Sequence, residues 1–213
     1  VELMEKGYSL RHLHKLIVTS NAYMLDSSTA QPAEYKKDPE NKALWRFPSH
    51  RIEAQVVRDS LLHLAGTLDL SRGGPPIPVA DANNHRRSLY FFHSHNEHNQ
   101  FLEQFDDAGV LECYRRERSI VPQQALALTH AALSLDASTA IAQKLSKPNL
   151  TDAQFVTEAH LVLLGRPPDA EEINLCAQTL NQLMREDKNA TSARARSLLV
   201  LALLNHHDFL TRR

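Results

Sequence analysis

A mainly α fold, a helical domain with a long irregular insertion at about 67–118 that holds one or two short strands, is predicted by three observations. Apolar residues recur at three- and four-residue spacing over most of the chain. Capping residues and glycine stops punctuate those runs at the places where helices begin and end. Residues 71–87, SRGGPPIPVADANNHRR, suit neither a helix nor a central strand. With 213 residues, of which 42% are hydrophobic, the chain can bury one good core. It divides into an N-terminal helical lobe with the insertion, 1–133, and a C-terminal helical lobe, 134–213, packed as two lobes or as one continuous domain.

The elements follow in order. Ser9 is placed to cap a first helix to about Leu25, with Leu10, Leu13, Leu16, Ile17 and Met24 on one side. The polar, proline-broken stretch 26–41 is a surface loop. Ser49 is predicted to cap a second helix through RIEAQVVRDSLLHLA, stopped by Gly66 in a left-handed C-cap. RSLYFFHS, 87–94, is the one good strand candidate, with Leu89, Phe91 and Phe92 as anchors. Pro122 sits in a first helical turn, and QQALALTHAAL after it is apolar nearly all round. A weaker helix is expected at about 136–146. Thr151 with Gln154 forms a capping-box pair opening a helix that ends at Gly165. Asp169 with Glu172 forms a second box before a stripe of Ile173, Cys176, Leu180 and Leu183, and a last helix at about 191–205 is apolar on every side.

Composition excludes several classes. Lysine and arginine number 24 against 25 acids, so no general field draws nucleic acid or anionic lipid, and such binding would need a local patch. The longest apolar run, LLVLALL, is far shorter than the ~20 residues of a membrane-spanning helix. Neither nucleic acid nor a membrane span is expected. Two cysteines, Cys113 and Cys176, give no disulfide framework or metal knuckle. The start, VELMEKGYSL, has no export signal and reads as a piece of a longer protein. Nucleophile elbows, phosphate loops and dinucleotide fingerprints are missing from the sequence.

Two places remain. On a helical projection, Ile52, Val57, Leu61 and Leu64 form an apolar arc that contains Glu53, while Arg51, Gln55, Arg58 and Asp59 lie opposite. A core-facing carboxylate requires a cationic partner, and Arg86 and Arg87 are the candidates. Glu53 is then either an internal ion-pair partner or a catalytic acid with a shifted pKa. His93 and His95, two apart on a strand, could face one ion with His98 or Glu97 completing the shell, which makes zinc or another divalent metal a candidate. Alternatively these histidines are solvated at a strand end. The basic cluster YRRER, 114–118, could grip an anion or form salt bridges with nearby acids.

LHKLIVTSNAY, RIEAQVVRDSLL, GGPP, RRSLYFF, FLEQFD, SIVPQQALAL, LLGRPPDAEE and LALLNHHDFL, in that order, resemble the uncharacterised Planctomycete-specific C-terminal domain. The resemblance covers essentially the whole chain. It implies a periplasmic or otherwise exported multidomain protein with a cytochrome-c-like domain upstream, so that haem c belongs there and none to this chain. The family pattern falls on Arg51, Glu53, Arg58, Asp59, Gly73, Gly74, Arg86, Arg87, Tyr90, Phe105, Asp106, Pro122, Gln124, Ala125 and Leu126. Gln55 departs from a second glutamate, and the histidines after Tyr90 stand where an arginine is common. The expected function is a non-catalytic module whose polar groove between Arg51, Glu53, Arg58, Asp59, Arg86 and Arg87, with Tyr90 and Asp106, docks upstream domains of the same polypeptide or an anionic polysaccharide. The alternative is a metal-dependent or redox enzyme fragment completed by the upstream domain.

Overall fold

The computed structural model describes residues 1–28, 31–111, 119, 122–186 and 191–212. The cluster at 114–118 and Cys113 lie outside the described residues. The chain forms two compact units, Val1–His50 with Thr211–Arg213, and Arg51–Leu210. The described structure is mainly helical, as the sequence predicts, and strands are confined to β1 (His50–Arg51) and β2 (Thr211–Arg212).

The first unit holds α1 (Glu2–Glu5), α2 (Leu10–Val18) and α3 (Pro32–Lys37). Ser9 caps α2 as expected, its hydroxyl accepting from the His12 amide at 3.2 Å. The helix stops at Val18 rather than about Leu25, because the backbone turns at Thr19 and Ser20, whose hydroxyls donate back to the carbonyls of Lys15 and Ile17. Asn41, in the left-handed region (φ 57), ties the following loop by donating to the Arg46 carbonyl at 2.8 Å. The Asp38 carboxylate accepts from the Ala43 and Lys42 amides, which holds its pKa below the ordinary value. Tyr23 packs edge-on against buried Phe47.

The second unit contains α4 (Ala54–Ala65), a 3-10 turn (Ser88–Tyr90), α5 (Gln100–Glu103), α6 (Pro122–His130), α7 (Ala132–Leu145), α8 (Asp152–Leu164), α9 (Ala170–Glu186), α10 (Ser192–Leu204) and α11 (His207–Leu210). α10 is its centre, lying most extensively on α7 and also against α6, α8, α9 and α11. Val200 and Leu204 from α10 join Ile141, Phe155, Val156, Val57 and Leu61 in one core. Both expected boxes form: Thr151 with Gln154 opens α8, and the Asp169 and Glu172 side chains accept from each other's amides at 2.8 and 2.9 Å. Gly66 ends α4 in the left-handed conformation (φ 81), as the sequence predicts.

Three local expectations are corrected. α4 begins at Ala54, not at Arg51, because Glu53 is an extended N-cap (φ −73, ψ 153). The apolar run after Pro122 breaks at Ala131 (ψ 136), so α7 starts at Ala132, and only Gln124 and Leu128 of α6 are buried. The expected strand at 87–94 is a 3-10 turn followed by a bridge from Phe91 to Ile77. Phe91 is buried, while Leu89 and Phe92 are exposed. A strand needs a neighbour along its length, and the proline-rich 75–78 segment meets it only at Ile77, which donates to the Tyr90 carbonyl and accepts from the Phe92 amide.

Candidate functional site

α4 carries the excursion between Thr67 and Asp107 through two adjacent side chains of opposite charge. Arg58 is 2% exposed, since Ala54 four residues before it and Leu61 and Leu62 three and four after it share its helix face and the core. Its guanidinium is satisfied by backbone: Nη1 donates to the Arg86 carbonyl at 3.0 Å and to Ser88 Oγ at 3.2 Å, and Nη2 donates to the Asn84 carbonyl. The guanidinium also lies 4.8 Å from the Phe91 ring centroid. Burial lowers the Arg58 pKa, and the charges of Asp59 and Asp81 oppose that shift.

Asp59 completes the clamp. Its Oδ1 accepts from the Ser88 amide at 2.8 Å and from Ser88 Oγ at 2.6 Å. Arg58 Nη1 is 3.7 Å from Asp59 Oδ1 and Arg87 Nε is 3.9 Å from Oδ2. Arg86 is turned elsewhere. It lies over the Tyr90 ring at 4.1 Å and donates to the Gly73 carbonyl, while the Gly73 amide donates to Tyr90 Oη at 3.2 Å. The left-handed pair Gly73 and Gly74 (φ 76 and 88) thus turns against the Arg86–Tyr90 stack.

Glu53 corrects the sequence expectation most directly. It is exposed at the helix N-cap, not held in the core. The inward charge on α4 is the cation Arg58. Nor do the six residues of the expected groove assemble into one: Arg51 donates to the Ser119 carbonyl at 3.1 Å, and Arg58 and Arg86 are engaged by backbone carbonyls. Asp106, with φ 60, accepts from the Ser119 amide at 2.8 Å and from its hydroxyl at 2.6 Å. The Gln124 amide donates to the same hydroxyl at 3.2 Å.

Glu53, Asp59 and Arg87 do share a wall, that of a cleft of about 730 Å³ along α4. Buried Leu163 and Phe209 and half-buried Leu64 line it, together with exposed Val56, Leu89 and Val162 and with Ser60 and His63.

The histidines do not form the expected constellation. His98 Nε2 lies 3.0 Å from the His95 carbonyl. His93 and His98 line a smaller cavity of about 210 Å³, and His95 is not part of its lining. Among the described residues no three His, Cys, Asp or Glu side chains are grouped as they would be around a metal ion. Residues 93–98 are not a strand, so the alternation that would put His93 and His95 on one face does not apply.

One further polar cluster, centred on Arg166, was not foreseen from the sequence. Arg166 donates to both oxygens of Glu172, at 2.8 and 2.6 Å, and through Nε to Asp208 Oδ2 at 2.8 Å. These bonds hold the Glu172 carboxyl at about 2, and they raise the Arg166 pKa. The Asp169–Glu172 box was the available signal; it leaves Glu172 with capacity to accept the adjacent arginine.

A family model, PSD1: Protein of unknown function (DUF1553), matches residues 1–180. No curated protein and no solved structure matches the chain.

Proposed function

The chain belongs to the PSD1 family of proteins of unknown function (DUF1553), and from that premise we propose that it is a non-catalytic helical module whose cleft along α4 docks a neighbouring domain of a larger, exported polypeptide. A cytochrome-c-like domain, which would hold haem c, is the proposed neighbour. The observation that carries this is the cleft's make-up: its lining joins exposed Val56, Leu89 and Val162 to buried Leu163 and Phe209, with Glu53, Asp59 and Arg87 as its charged members. Exposed aliphatic side chains with a few charged groups beside them suit a protein surface. An anionic polysaccharide suits it less, because Glu53 and Asp59 accompany Arg87 there and Arg51, Arg58 and Arg86 are bonded to backbone carbonyls. Most of the reactive side chains in this region bond to main chain, which is what holding an irregular excursion requires.

Hydrogen exchange tests the reading. Residues 54–65 and 87–92 exchange more slowly in the parental polypeptide than in the 213-residue chain, and Leu89→Asp in the parent removes the difference. Equal exchange in the two forms, or protection unaffected by Leu89→Asp, refutes docking at this cleft.

A further inference from the structure

A second and larger cavity, of about 1090 Å³, takes Arg58, Leu62 and Ala65 from α4, whereas the cleft described above takes Val56, Ser60 and His63. At about 100° per residue these two sets lie roughly half a turn apart on the helix, and the cavities share no lining residue. The volume stands at the upper end of the ~300–1,000 Å³ usual for small-molecule sites. Small side chains leave the space open: Ala127, Ala131 and Ala132 where α6 gives way to α7, and Ala137 and Ala140 farther along α7. Helix α5 supplies Gln100, Phe101 and Glu103, with Gln104 at its C-cap. Buried Asn99 fixes that helix: its Oδ1 accepts from the Phe101 and Leu102 amides at 3.1 and 3.2 Å, and its Nδ2 donates to the Val79 carbonyl at 3.2 Å.

The chemistry of the lining narrows the ligand. The side chains of Asn83, Gln100, Gln104, Glu103 and Asp136 make no hydrogen bond or ion pair among the described residues. An apolar ligand would take water from the three amides and return no hydrogen bond. An anion would meet two carboxylates and no available cation. Among the described residues Arg58 is the only arginine or lysine of the lining, and its guanidinium is bonded to the Asn84 and Arg86 carbonyls and to Ser88.

We propose that this cavity binds a short neutral oligosaccharide. A sugar hydroxyl both donates and accepts a hydrogen bond; a side-chain amide does both as well, and a carboxylate accepts. Gln100 and Gln104, four residues apart on one side of α5, offer two such amides to neighbouring hydroxyls, and Asn83 offers a third from the excursion. Phe101 and Leu133 give the C–H faces of the sugar rings an apolar surface. An organic cation would use Glu103 and Asp136 but leave the acceptor and donor pairs of the three amides unused. This ligand is additional to any domain docked at the α4 cleft, and its test is independent of that cleft.

The test is isothermal titration calorimetry of the 213-residue chain with neutral maltotetraose, cellotetraose, mannotetraose and xylotetraose, with anionic tetragalacturonate, and with the cationic glucosamine tetramer. At least one neutral sugar is expected to bind with a Kd below about 1 mM, and at least about tenfold more tightly than either charged one. The variant Gln100→Ala, Gln104→Ala alters one exposed and one half-buried side chain and loses at least about tenfold in affinity. Ala132→Leu, Ala140→Leu narrows the cavity from α7 and has the same effect, while the urea midpoints of both variants stay within about 0.5 M of the parent. Leu89→Asp, in the α4 cleft, leaves sugar binding unchanged, so the two readings fail separately. The proposal is overturned if no neutral sugar binds below about 1 mM, or if a charged tetramer binds as tightly as the best neutral one. It is equally overturned if sugar binding survives both double variants, since the site would then lie elsewhere.

Discussion

Arg58→Met keeps an unbranched stem in the α4 core and removes the guanidinium. Lost with it are the donors to the carbonyls of Asn84 and Arg86 and to Ser88 Oγ, together with the cation 3.7 Å from Asp59. Each hydrogen bond from a charged group contributes about 1.5–3 kcal/mol, and removing one member of a buried ion pair costs about 3–5 kcal/mol. Both figures count the same contacts. The thioether against Phe91 returns about 1 kcal/mol, so the net loss is about 3 kcal/mol. With a urea dependence of about 2–3 kcal/mol per molar, the midpoint falls by about 1 M or more. Far-UV circular dichroism is the suitable signal, because Trp45, the single tryptophan, belongs to the other unit. Arg58→Lys retains the charge without the fork and recovers only part of the loss. A double-mutant cycle with Ser88→Ala gives a coupling of about 1 kcal/mol. A midpoint for Arg58→Met within about 0.3 M of the parent, or strict additivity with Ser88→Ala, refutes the clamp.

Other outcomes follow from the same structure. Glu172 has a folded pKa of about 2 against an ordinary 4.5, chiefly through hydrogen bonds from Arg166. Because the folded value is the lower one, the stability it contributes is complete above about pH 4.5 and is lost as the pH falls toward about 2. Urea midpoints of the parent and Glu172→Gln therefore differ near neutrality and converge toward about pH 2. Cys176 is buried with its thiol pKa raised, mainly by desolvation. In a Cys113→Ser background its reaction with an aromatic disulfide reagent is slower by about a hundredfold or more in the folded protein than in urea. Gly66→Ala costs about 1–2 kcal/mol in the same urea assay. A Cβ there would meet only Lys144 Nζ at 4.0 Å, so the cost comes from the left-handed φ of 81 and not from a clash; Gly66→Asn recovers part of it.

The helical frame was legible because caps and stops act over three or four residues: Ser9, Gly66, Thr151 with Gln154, and Asp169 with Glu172 all do what their spacing predicts. The region from 67 to 107 was less legible, since its order comes from distant side chains rather than from its own hydrogen-bonding pattern. Asp59 reaches across 29 positions to Ser88, and Arg58 across 26 to Asn84. Even so, one part of this was available in the sequence. Taking Ala54, Leu62 and Ala65 as apolar positions, with the helix starting after Glu53, places Arg58 four residues from Ala54 and Leu62 and seven from Ala65, in the middle of the buried face. Starting the projection at Ile52 instead drew Glu53 into the arc and gave the buried charge the wrong sign. That difference decides the chemistry. A buried carboxylate would have been a candidate acid or base, whereas a buried guanidinium with three acceptors from a proline-broken excursion is occupied in satisfying main-chain carbonyls that such a segment cannot satisfy by itself.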